Sequence, residues 1–80
     1  LESLRRSIMA AFRSHAVEKL GIPDGFVGHL DTITTHGAFA DLLASTVFEN
    51  PQTRRLIFQE LDVMTRMELL EKFLLAGVLD

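Results

Sequence analysis

Eighty residues, 48% hydrophobic and 24% charged, describe one globular domain near the lower size limit for a chain that folds on its own core. Eight Lys or Arg against eleven Asp or Glu leave a net charge of −3, without the basic footprint that neutralising a nucleic-acid backbone requires. The absence of cysteine rules out a disulfide framework and a thiolate metal site. The longest apolar runs fall far short of the roughly 20 residues that a membrane-spanning helix needs.

The first predicted element is a helix from Leu1 to Leu20, where Leu1, Leu4, Ile8, Phe12, Ala16 and Leu20 recur at spacings of three and four. Gly21 closes it as a left-handed cap, and Ile22-Pro23 prevents its continuation. Pro23-Asp24 opens a short second helix through about Thr32, with Phe26, Val27 and Leu30 on its apolar side. Gly25 and Gly28 weaken that helix by about 1 kcal/mol each relative to alanine.

Thr34 or Thr35 offers a hydroxyl cap to a third helix, about His36 to Phe48. Asp41 is the only formal charge between Thr32 and Phe48, so this helix is expected at the centre, wrapped by its neighbours. Asn50-Pro51 starts a fourth helix through about Glu60, with Leu56, Ile57 and Leu61 as its inner face. Asp62 caps a fifth, whose stripe of Val63, Met67, Leu70 and Leu74 is widened by Leu69 and Phe73; Gly77 ends it. No strand alternation occurs. The expected fold is all-α, a small bundle of four to five helices with short connections.

Candidate chemistry is sparse. His15, His29 and His36 lack the spacing of a helical zinc pair, and no serine sits in a Gly-x-Ser-x-Gly turn. We therefore expect no catalytic, cofactor-binding or metal-binding residue. The arginine pairs Arg5-Arg6 and Arg54-Arg55 sit among acidic residues such as Glu49, Glu60, Glu68 and Glu71, the pattern of solvated helix faces. A helical DNA-binding domain, or a regulatory or dimerisation domain, is the alternative reading. Asp41 in an apolar helix needs a cation or an edge open to water. Its expected role is a packing pin, bridging helices to Arg66 or Arg13.

One stretch carries more. Ile33, Gly37, Phe39, Ala40-Asp41, Leu42-Leu43 and Ala44 are followed by Arg54-Arg55, Ile57-Phe58, Leu61-Asp62-Val63, Arg66-Met67 and Leu69-Leu70. In this order and spacing, residues 33–75 resemble the helical half of the N-terminal domain of Lon-type ATP-dependent proteases. Arg54-Arg55 replaces a common Lys-Gln pair, and His36 stands where proline is frequent. The resemblance implies a substrate-recognition module that engages unfolded or degron-bearing polypeptides and assembles with other subunits of the same protein. It further implies that ATP, Mg and the peptidase centre belong to other domains of a parent ATP-dependent serine protease. No Gly-x-x-x-x-Gly-Lys occurs in these residues.

With Leu1 in place of an initiator Met, residues 1–80 are expected to be one helical domain of a longer, cytoplasmic protein, with neither nucleic acid nor membrane as partner. Polypeptide capture would use exposed apolar side chains, for which Phe26, Val27 and Phe48 are the candidates.

Overall fold

A computed structural model describes residues 1–77. Helix α1 runs over residues 2–20 as an α-helical segment Glu2–Phe12, a π-type turn Arg13–Val17 and a final turn Glu18–Leu20. The other helices are α2 (Asp24–Thr32), α3 (His36–Val47), α4 (Pro51–Phe58) and α5 (Val63–Leu75). The described residues contain no strand, and the molecule is a small all-α bundle.

The π turn follows from the spacing of the α1 stripe. Apolar residues four positions apart drift by about 40° per step around a 3.6-residue helix. A wider turn after Phe12 takes up part of that drift, and Ala16 remains buried. By Leu20 the stripe has turned towards solvent.

Gly21 ends α1 at φ +66°, where an L side chain would be strained. The Gly21 N–H donates to Glu18 O at 3.2 Å and the Ile22 N–H to Val17 O at 2.9 Å, while Val17 and Ile22 both pack against the core. These paired bonds satisfy carbonyls that the helix end leaves open. Gly77, at φ +75°, closes α5 in a related way, donating to Leu74 O at 3.1 Å.

Two N-terminal caps form as expected: Asn50 Oδ1 accepts from the Gln52 N–H at 2.8 Å, and Asp62 Oδ2 from the Thr65 N–H at 2.9 Å. Thr35 does occupy the cap position of α3, yet its hydroxyl makes no cap bond.

The Asp62 cap carries a pH signature. The backbone N–H of Thr65, then its hydroxyl, hold the carboxyl below the ordinary aspartate value of 3.8. Its stabilisation is therefore complete above that value and fades as pH falls through the lowered one. Replacing Asp62 by Asn keeps an acceptor but removes the titration. Acid unfolding followed by circular dichroism should accordingly be shallower in Asp62→Asn than in the parent.

The core joins Ile8, Phe12, Leu30, Phe39, Leu43, Phe48, Ile57, Met67, Leu70 and Leu74, all fully buried. Its organising element is α5, which packs on α1, α3 and α4. This corrects the expectation that α3 is central. In α5, Glu68 and Lys72 are exposed on the outer side. Arg66, 14% exposed, turns its charge into bonds with α3 and the connection leaving α4, so the inner stripe of α5 can face three neighbours. In α3, the fully buried Ala40 and Ala44 suit close packing, but Ala38 and Ser45 are exposed.

The inner face assigned to α4 also needs correcting. Ile57 is buried, whereas Leu56 is 49% exposed and Leu61 86% exposed. An eight-residue helix presents barely two turns, and only one of its apolar residues reaches the core. The Cα extents of 29 × 26 × 16 Å explain why surface remains uncovered. A Cα thickness of 16 Å is that of two helix layers, so each helix keeps a side towards solvent.

Candidate functional site

The structure joins Asp41 to Arg66. Arg66 Nη1 donates to Asp41 Oδ1 at 2.7 Å, linking α3 to α5. Arg66 is the better covered partner, 14% exposed against 51% for Asp41. Its remaining donors point elsewhere: Nε and Nη2 reach the Glu60 carbonyl at 3.0 and 2.8 Å. The guanidinium thus holds the connection leaving α4 while also meeting α3. Arg13, the other candidate partner of Asp41, instead lies 3.5 Å from Asp31.

This use of arginine recurs. Arg54 donates through Nε to Phe48 O and through Nη2 to Ser45 O at 2.7 Å, closing the end of α3. Arg5 donates through Nη2 to Leu30 O at 2.7 Å, in the last turn of α2. Each cation meets carbonyls at or just past a helix C-terminus, where the helix dipole favours positive charge; the Leu30 carbonyl also accepts from the Ile33 N–H at 3.3 Å. Nothing in the sequence flagged these contacts. Arg5 and Leu30 are 25 residues apart, beyond the reach of any capping pattern.

The three apolar candidates separate. Phe48 is fully buried and meets the Phe73 ring edge-on, with centroids 6.0 Å apart. It belongs to the core, which corrects its assignment as an exposed contact. The reason is local: Phe48 lies just past α3, where the extended backbone turns the chain into α4. Phe26 and Val27 are half-buried and pack against the core from α2.

Exposed apolar surface lies elsewhere. Leu56 (49% exposed), Phe58 (37%), Leu61 (86%) and Met64 (52%) cluster in sequence across the end of α4, its connection and the start of α5. Among the described residues, Leu1, Leu20 and Leu75 are the remaining large exposed apolar residues, scattered over other positions. The signal for the 56–64 stretch was present in the sequence as apolar residues flanking polar Gln59 and Glu60. Of these residues, Leu56 and Leu61 carry the inner-face expectation that their exposure corrects.

The histidines do not converge. His15 and His29 are exposed, and His36 Nε2 lies 3.7 Å from Glu2 Oε1. Among the described residues no group of three or more His, Asp or Glu is placed to hold a metal ion. Nor is any helix among them long and apolar enough to cross a membrane. Comparison with known protein families, characterised proteins and solved structures gives no match. The functional reading therefore rests on the chain's own residues.

Proposed function

We propose that this domain is a substrate-recognition module of a Lon-like ATP-dependent protease, non-catalytic itself, which engages unfolded or degron-bearing polypeptides. The observation that carries the reading is that four large apolar side chains, Leu56, Phe58, Leu61 and Met64, are exposed within nine residues of chain. Unfolded polypeptides offer apolar side chains that such exposed residues can meet. Met64 adds a flexible, polarizable side chain suited to varied partners. The resemblance of residues 33–75 to the helical half of a Lon N-terminal domain supplies the protease context. In that reading, other subunits of the same protein assemble around the module, and ATP and Mg act only in other domains.

The DNA-binding alternative is less favoured, because one arginine of each pair, Arg5 and Arg54, is engaged with backbone carbonyls and the chain's net charge is −3. A dimerisation domain would use the same exposed stretch and is separated by experiment.

The test is fluorescence anisotropy with a labelled, carboxymethylated unfolded polypeptide. Leu61→Ser with Met64→Ser alters only exposed side chains, and affinity is expected to fall about tenfold, as losing one or two apolar contacts implies. Unchanged affinity overturns the assignment. A parent that self-associates but takes no polypeptide, and whose variant is monomeric by mass measurement, replaces it with the dimerisation reading.

A further inference from the structure

A groove of about 650 Å³ runs along α1 and faces the segment that joins α2 to α3. Three of the chain's six arginines, Arg5, Arg6 and Arg13, line it together with Met9, Ile33 and Thr34. Glu2 and Asp31 also line it, so its charge is three arginines against two carboxylates, a positive balance in a chain whose net charge is −3. The groove shares no lining residue with the exposed stretch at residues 56–64.

Arg5 is the most informative member. It is only 8% exposed, with its guanidinium carbon 4.3 Å from the centroid of the Phe39 ring and one nitrogen bonded to Leu30 O. Among the described residues no carboxylate pairs with it. A buried cation without an anion is unfavourable unless its remaining donors find one. None of its nitrogens is both sealed from solvent and without a partner, and Arg5 lines the groove. Arg6 is exposed and makes no ion pair among the described residues. Arg13 has only a loose partner in Asp31, 3.5 Å away, with both side chains more than half exposed. Such a pair is readily exchanged for another carboxylate.

The opposite wall provides backbone. Ile33 and Thr35 are extended, at φ/ψ of −72°/122° and −93°/134°. Thr34 between them makes no backbone–backbone hydrogen bond among the described residues through either its N–H or its C=O. An extended segment with a free donor and acceptor can pair with another extended chain.

We propose that this groove binds an extended acidic peptide segment. Its carboxylates are held by Arg5, Arg6 and Arg13, and its main chain pairs with Thr34. Arginine suits this role because its planar fork matches a carboxylate. A nucleic-acid strand fits less well, because no aromatic side chain lines the groove for bases to stack on. The proposal does not depend on the protease reading, since it concerns different residues and a different chemistry.

The test uses a labelled ten-residue peptide carrying four alternating Glu residues, and the same peptide with every Glu replaced by Gln. The Glu peptide should bind the parent domain measurably by anisotropy and shift the Thr34 amide resonance. The Gln peptide should bind at least tenfold more weakly. Arg6→Gln with Arg13→Gln, both exposed positions, should cut affinity for the Glu peptide at least tenfold. Equal binding of the two peptides, or no binding of either, overturns the proposal whatever the variant does. So does a single-stranded oligonucleotide of equal charge binding more tightly than the Glu peptide.

Discussion

Phe48→Ala is expected to destabilise the domain by about 3–5 kcal/mol, the cost of emptying a large aromatic site in a close-packed core. Phe48 is fully buried and loses its edge contact with Phe73 in the variant. An 80-residue chain has a total stability of about 4–12 kcal/mol, so this one change consumes a large share of it. Chemical denaturation monitored at 222 nm should show the midpoint moving sharply to lower denaturant, or a variant already partly unfolded in buffer. A near-native midpoint would mean that Phe48 is a surface residue.

The second large effect concerns Arg66. Arg66→Ala removes two bonds to the Glu60 carbonyl and the tie to Asp41, and a loss of about 2–3 kcal/mol is expected. Asp41→Asn should cost less than about 1 kcal/mol, because Asp41 is half exposed and water screens its charge. The asymmetry is the informative part. If Asp41 were the principal anchor, the two variants would weaken the domain equally. Since Arg66 also clamps the end of α4, its loss should be the greater. Arg66→Lys should recover little, because an ammonium cannot reproduce the fork that reaches two acceptors at once.

Helix boundaries were legible in the sequence because capping chemistry is local. Gly21, Asn50-Pro51, Asp62 and Gly77 each act within a few residues, and each marks the helix end that its residue type predicts. The Asp41–Arg66 pair was legible for another reason. A lone carboxylate in an apolar helix calls for a cation, and few are available to this chain. By contrast, the central position of α5 depends on how helices stack, and charge content alone pointed wrongly to α3. Side-chain burial around α4 was misread because two turns are too few for an apolar pattern to fix which side faces inwards. Leu56 and Leu61 consequently came out exposed where an inner face was expected, and Phe48 buried where a contact surface was expected. The carbonyl clamps of Arg5 and Arg54 have no sequence signature, since any exposed-looking arginine could have made them.

These corrections move the candidate surface without changing its chemistry. Phe48 leaves it, Phe26 and Val27 remain half-covered, and Leu56, Phe58, Leu61 and Met64 take their place. The two proposals place different partners on different residues: apolar polypeptide on residues 56–64, and acidic peptide in the arginine groove of α1. Titrating the isotopically labelled domain with an unfolded, carboxymethylated polypeptide distinguishes them directly. The account predicts that backbone amide shifts concentrate in residues 56–64, with the Leu61 amide among the largest. A titration that leaves those amides unmoved, or confines its shifts to α1 and α2, would contradict it.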